Sequence, residues 1–160
     1  MRVNSISIFL SLVIVSIFSG KLYASDLHAG YYYPEGGTQE VYVAVTEKSL
    51  EASKATRSAF AVGMDKQQRD RGYPPSFHLF VKGKDHEKMI IIGVQDGRYN
   101  TLFRMRALLA SLTSMARATQ LFAETDNPQN FNFLDFCKLM GFKQVTVSDG
   151  DRFTHRYIIE

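Results

Sequence analysis

The chain has 160 residues, a formal net charge of +3 from 19 basic and 16 acidic side chains, and a single cysteine. One cysteine excludes a disulfide within the chain, and the length suits one ordinary domain that buries its own core. A net charge this small does not attract a protein to nucleic acid by electrostatics alone, and we therefore expect no nucleic-acid partner.

The first segment, residues 1–25, has the pattern of a secretory signal peptide. Arg2 precedes the apolar run Ile6–Phe18, whose 13 residues are fewer than the roughly 20 that cross a bilayer. Small side chains at Ala24 and Ser25 predict cleavage nearby and a periplasmic or secreted protein. Cleavage removes two basic residues and leaves a net charge of +1 (17 basic minus 16 acidic). If the segment is not cleaved, it is the expected membrane contact.

The next part of the chain predicts an arm, a strand and a helix. Residues 26–38, rich in glycine, tyrosine and proline, show no period and predict an extended lead-in arm before a domain over residues 39–160. Apolar and polar residues alternate over Gln39–Thr46, which predicts a half-buried strand. One side of this strand carries Val41, Val43 and Val45, and the other carries Glu40, Tyr42 and Ala44. A helix is predicted from Glu47, capped by Thr46, to about Arg71, before Pro74 and Pro75.

Two hairpins and two further helices complete the predicted elements. The first hairpin joins Phe77–Val81 to Met89–Val94, the helices cover residues 100–118 and 131–140, and the second hairpin joins Lys143–Ser148 to Asp151–Ile159. The resulting order is β-α-β-β-α-α-β-β. It predicts an α+β fold in one domain, with a mostly antiparallel five-stranded sheet and about three helices packed on it.

An anion site is the first candidate functional feature. The strand end at Gln95-Asp96 passes through glycine into a helix N-terminus, where backbone N–H groups and the helix dipole favour a phosphate or carboxylate. The candidate residues are Gly97, Arg98, Asn100, Thr101 and Arg104. The alternative is an ordinary Asp-Gly turn followed by the solvated face of a helix.

An aromatic surface is the second candidate. Tyr31, Tyr32 and Tyr33 of the arm, together with Tyr73, offer an exposed rim for a partner protein. The alternative is that these tyrosines clamp the arm onto the sheet.

The residue pattern predicts no metal, no cofactor and no catalytic group. The four histidines lack the spacing that gathers imidazoles around a metal. Ser148, Asp149 and His155 have the residue types of a triad, but they surround a hairpin turn with no evident oxyanion element. Cys137 lies in an apolar helical stretch, which favours burial over intermolecular pairing.

Several short segments resemble a family of small exported bacterial proteins. They are Arg57-Ser58-Ala59-Phe60, Tyr73-Pro74-Pro75, Asp96-Gly97-Arg98-Tyr99-Asn100-Thr101-Leu102, Arg106-Ala107-Leu108-Leu109-Ala110, Leu121-Phe122-Ala123-Glu124 and Val145-Thr146-Val147-Ser148-Asp149-Gly150. The family often carries the label molybdopterin-guanine dinucleotide biosynthesis protein A. That label implies a guanylyltransferase that joins GMP to molybdopterin with magnesium.

The chain departs from the sequence pattern of such an enzyme. Nucleotidyltransferases of this kind open with a glycine-rich loop after their first strand, then an arginine and a G-x-D-K element. This chain offers Gly63-Met64-Asp65-Lys66 in a predicted helix, without the preceding glycine loop. We therefore expect an exported binding or accessory module that contacts a protein or a small anionic ligand. The alternative is a nucleotidyltransferase in molybdenum cofactor biosynthesis.

Overall fold

The computed structural model describes residues 37–46, 50, 52–71, 73–94, 98–119 and 130–160. Its elements are β1 (Thr38–Tyr42), α1 (Lys54–Arg69), β2 (Phe77–Lys82), β3 (Lys88–Gly93), α2 (Leu102–Arg117), α3 (Phe133–Leu139), β4 (Gln144–Ser148) and β5 (Thr154–Ile159). Residues 34–160 form one compact unit. The predicted signal segment and most of the predicted arm lie outside the described residues.

The five strands form one mixed sheet in the order β1-β5-β4-β3-β2. The α+β class is confirmed, but the expectation of a mostly antiparallel sheet is wrong. Among the described strands, the β2–β3 and β4–β5 pairs are antiparallel, whereas β3–β4 and β1–β5 are parallel. The two hairpins behave as predicted because short links return the chain beside itself. The parallel pairs join strands that longer connections separate, and no local pattern specifies their direction.

Strand β1 buries the opposite side from the one that hydropathy favours. Val41 of β1, and Val43 and Val45 just after it, are 54%, 74% and 63% exposed. Glu40 and Tyr42, on the other side, are half-buried, and their parallel register with Tyr157 and Ile159 of β5 places them on the core side of the sheet. The alternation predicted the strand, but the inward side carries the polar residues.

Each helix starts at a side-chain cap. Ser53, and not the expected Thr46, caps α1 by accepting from the Thr56 N–H at 3.1 Å. Thr101 caps α2 by accepting from the Arg104 N–H at 3.3 Å. Asn132 begins α3 with a capping box. The other element bounds also differ in detail from the predicted ones.

No helix within the described ranges has the length and apolar character that crossing a membrane requires.

A buried guanidinium ties α1 to the rest of the domain. Arg57 is 9% exposed, and it donates to the Asp85 carbonyl at 2.7 and 3.0 Å and to the Ala52 carbonyl at 2.7 Å. A longer bond of 3.4 Å reaches the Met140 carbonyl at the end of α3. The hydrogen bonds to carbonyl oxygens compensate the cost of burying the charge. Arg57 therefore links the start of α1, the β2–β3 turn and the end of α3.

Candidate functional site

The start of α2 shapes the first candidate site. Arg104 donates from Nη1 to Asn100 Oδ1 at 3.0 Å, so its guanidinium lies back along the first turn. The Arg98 guanidinium lies over the Tyr99 ring, 5.7 Å from its centroid. Tyr99 is buried because Gly93 leaves it room: a Cβ at Gly93 would lie 2.4 Å from the Tyr99 ring. Close packing on a glycine therefore fixes the base of this segment.

A concavity of about 510 Å³ opens beside this turn, and we call it the arginine concavity. Its described lining is Ser76, Phe77, Arg98, Tyr99, Phe103, Arg104, Ala107, Leu108 and Ser111. This set contains two guanidiniums and no carboxylate. Phe103, which also belongs to this lining, is 82% exposed. A planar anion would meet guanidiniums, serine hydroxyls and an aromatic ring here.

Four of the five residues predicted for an anion site are described, and two of these line the concavity. Thr101 and Asn100 instead act locally, Thr101 as the cap of α2 and Asn100 as the acceptor for Arg104. Gly97 lies outside the described residues. The sequence did not predict the remaining lining residues, among them Ser76 and Ser111, because they come from other parts of the chain.

The predicted aromatic surface is described only in part. Tyr73 is 80% exposed. Tyr31, Tyr32 and Tyr33 lie outside the described residues. The partner surface therefore stays a prediction.

A second hollow, which we call the tyrosine cleft, was not expected from the sequence. It has a volume of about 600 Å³ and lies between strands β1 and β5, helix α2 and the start of α3. Its lining is Glu40, Tyr42, Arg106, Leu109, Ala110, Thr113, Ser114, Arg117, Asn132, Phe133, Leu134 and Tyr157. Both volumes fall in the roughly 300–1,000 Å³ range of small-molecule sites.

A hydrogen-bonded network builds one wall of the tyrosine cleft. Asp135, fully buried, accepts from the Tyr42 hydroxyl at 3.0 Å and from the Val45 and Asn132 N–H groups at 2.9 Å each. The Asn132 amide in turn donates to the Tyr42 hydroxyl. Burial, with the nearby negative charge of Asp135, raises the pKa of Tyr42 to about 12. The network ties β1 to α3 and keeps this wall in place.

An ion pair lies in the tyrosine cleft next to the buried phenol of Tyr157. Arg106 Nη2 lies 3.2 Å from Glu40 Oε2, and both side chains are partly exposed. Tyr157 is 2% exposed, and its hydroxyl is buried beside the Arg106 guanidinium. Burial raises the pKa of Tyr157, so the phenol stays protonated at neutral pH.

The three described histidines lie apart from one another. His78 Nδ1 lies 3.0 Å from Asp65 Oδ1, and His86 Nδ1 lies 2.5 Å from the Ser58 hydroxyl. His155 is buried, with Nδ1 2.6 Å from the Thr38 hydroxyl and Nε2 3.6 Å from Glu40 Oε1. Within the described ranges, no three histidine, cysteine, aspartate or glutamate side chains gather as a metal site.

The triad residue types do not come together. Val147 faces His155 across the β4–β5 ladder, so Ser148 and His155 point to opposite sides of the sheet. The Ser148 hydroxyl accepts from the Gly150 N–H at 3.0 Å. Asp149 Oδ1 accepts from the N–H groups of residues 151, 152 and 153, which makes it a turn residue.

Cys137 is fully buried, as predicted. Burial, followed by the charge of Asp135, raises the pKa of its thiol well above the usual value. A buried, protonated thiol is a poor nucleophile and a poor metal ligand.

The described fold is therefore an α+β unit with a mixed sheet and two chemically different hollows beside α2. Comparison of the chain with protein-family models, curated proteins and solved structures found no significant match.

Proposed function

We propose that the protein is an exported binding module that takes a small anionic ligand in the arginine concavity and performs no chemistry on it. The observation that carries the proposal is the lining itself, in which the Arg98 and Arg104 guanidiniums share one hollow with the hydroxyls of Ser76 and Ser111. Guanidinium groups bind carboxylate and phosphate oxygens through paired, charge-assisted hydrogen bonds. The positive end of the 16-residue helix α2 adds to the same field.

The surroundings of three reactive side chains, Asp65, Ser148 and Cys137, support binding without turnover. Asp65 lies against His78 at 3.0 Å and Arg69 at 3.1 Å, Ser148 is engaged in its turn, and Cys137 is buried. A nucleophile needs a neighbouring base and access to its substrate. None of these described groups has both.

The nucleotidyltransferase alternative has less support. Its G-x-D-K element would be Gly63–Lys66, which lies inside α1, and Asp65 of that element is already paired with His78 and Arg69. Phosphate binding by such a loop depends on free backbone N–H groups at a helix start. A mid-helix position does not offer them.

The export part of the proposal is supported by the residue pattern of the first 25 residues. We expect the protein in the periplasmic fraction, with a mass that corresponds to cleavage near Ala24 or Ser25. A protein of full-length mass found only in the cytoplasm would contradict export and would leave the binding proposal unaffected.

The binding proposal is tested by titrating inorganic phosphate into the purified protein while recording its ¹⁵N spectra. Arg98→Gln or Arg104→Gln is expected to weaken binding about tenfold, since each removes a hydrogen bond between charged groups. Arg152→Gln is the matched control because it removes the same charge from a side chain that is 91% exposed in the β4–β5 turn.

Equal weakening by all three variants would show that only the overall charge matters and would overturn the assignment of the site. Turnover of GTP with magnesium by the purified protein would overturn the non-enzymatic proposal and favour the nucleotidyltransferase.

A further inference from the structure

We infer that the ligand of the arginine concavity is an aromatic phosphate, a molecule in which a phosphate group is joined to a flat ring. This inference rests on the proposed function, because it specifies the anion that the same site takes.

Phe103 is the side chain that points to an aromatic ligand. It is 82% exposed. Single exposed apolar side chains are ordinary, but this one belongs to the lining of a hollow that also contains two guanidiniums. A flat ring packed on Phe103 removes the apolar surface of both rings from water, and aromatic pairs gain further from their preferred geometry.

The spacing along α2 places Phe103 beside a guanidinium and a small side chain. Ala107 follows Phe103 by four residues and Arg104 by three, so both are its neighbours on the helix surface. Ala107 is exposed, and its single methyl group leaves room next to the Phe103 ring. A ligand ring over Ala107 therefore contacts Phe103, and its phosphate lies next to Arg104.

Buried apolar side chains extend the same contact surface. Phe77, Tyr99 and Leu108 belong to the lining of the concavity. Inorganic phosphate uses only the polar part of such a hollow, whereas a ligand with a ring also covers the apolar part.

The donors of the concavity match a phosphate better than a carboxylate. Arg98, Arg104, Ser76 and Ser111 supply two guanidiniums and two hydroxyls. A phosphate monoester offers three acceptor oxygens and roughly two negative charges, so it uses more of these donors than a carboxylate with its single charge. The volume of about 510 Å³ is in the range of small-molecule sites.

The test titrates phenyl phosphate, cyclohexyl phosphate, benzoate and inorganic phosphate separately into the purified protein while ¹⁵N spectra are recorded. A mildly alkaline buffer keeps the phosphates doubly charged. We expect the Kd of phenyl phosphate to be about tenfold below that of inorganic phosphate, and also below those of the other two probes. Equal Kd values for phenyl phosphate and inorganic phosphate, or tighter binding of cyclohexyl phosphate or benzoate, would overturn the inference.

The variant Phe103→Leu tests the contact between the two rings. It is expected to weaken phenyl phosphate binding about fivefold and to leave inorganic phosphate binding unchanged. Tm should stay the same, because the Phe103 side chain is exposed. Phe80→Leu, at a side chain that is 50% exposed and outside the described lining, is the matched control. Unchanged phenyl phosphate binding, or equal weakening of both ligands, would contradict the inference.

The variant Ala107→Leu tests the room beside Phe103. Leucine is a good helix former, so α2 should stay intact while the larger side chain occupies the place of the ligand ring. We expect phenyl phosphate binding to weaken more than inorganic phosphate binding. Ala110→Leu makes the same change at an exposed position of α2 outside the concavity. The same phenyl phosphate affinity in both variants would overturn the placement of the ring.

The titrations distinguish a failure of this inference from a failure of the proposed function. Inorganic phosphate binding that depends on Arg98 and Arg104, without a preference for phenyl phosphate, would support the anion site and overturn the aromatic ligand. No saturable shift with any of the probes would overturn both.

Discussion

The two hollows beside α2 differ in how their charge is balanced. In the arginine concavity, Arg98 and Arg104 share a described lining without a carboxylate. In the tyrosine cleft, Arg106 lies 3.2 Å from Glu40 and beside the buried Tyr157 hydroxyl. Helix α2 therefore borders one hollow that contains two guanidiniums and another in which a guanidinium is paired with a carboxylate. We expect an anion to prefer the first hollow, because in the second it would compete with Glu40 for Arg106.

The largest expected effect comes from the wall of the tyrosine cleft. Asp135→Ala leaves the Tyr42 hydroxyl and two N–H groups without their acceptor, and we expect a loss of about 3 kcal/mol in the free energy of unfolding. Urea denaturation measures it. The matched control is Asp151→Ala, at a side chain that is 78% exposed. A loss below about 1 kcal/mol would show that the network does not hold the cleft together.

Two glycine substitutions test the packing at the base of the arginine concavity. Gly93→Ala puts a Cβ 2.4 Å from the Tyr99 ring, so we expect a loss of about 2 kcal/mol and weaker phosphate binding. Gly63→Ala, in open space on helix α1, should instead stabilise the protein by up to about 1 kcal/mol. Equal effects of the two substitutions in thermal unfolding would contradict the packing of Tyr99 on Gly93.

At neutral pH the smallest effect belongs to the titration of Tyr42, which acts only in alkaline solution. Its pKa in the folded protein is about 12, above the ordinary 10.0, so the unfolded chain loses this proton first. Stability is therefore lost as pH rises from 10 to 12. Tyr42→Phe should show a shallower fall of Tm across this window, and the control Tyr73→Phe should follow the unmodified protein. Identical slopes for Tyr42→Phe and the unmodified protein would contradict the buried environment of this phenol.

Local patterns predicted much of the fold. Hairpins, caps and helical periods depend on neighbouring residues, so the β2–β3 and β4–β5 pairs and the three helices follow from short segments. The parallel β1–β5 pair depends on contacts between the two ends of the described domain, which no local pattern specifies. That pair decides which strands border the tyrosine cleft.

The same distinction between local and long-range contacts explains why the sequence indicated the arginine concavity and not the tyrosine cleft. Arg98 and Arg104 are six positions apart, so the first hollow left a local signal. The Glu40–Arg106 pair spans 66 positions. The alternation over Gln39–Thr46 also did not specify which side of the strand is buried, and the side with Val41, Val43 and Val45 is the exposed one. An alternating strand whose polar side carries Glu40 and Tyr42 is the one signal that could have suggested an inward polar face.

The most direct test is a ¹⁵N spectral map of the protein during a phosphate titration. Phosphate should shift the signals of Ser76, Phe103 and Ser111 and leave those of Leu109, Leu134 and Tyr157 in place. Shifts in both sets, or no saturable shift at all, would contradict an anion site in the arginine concavity.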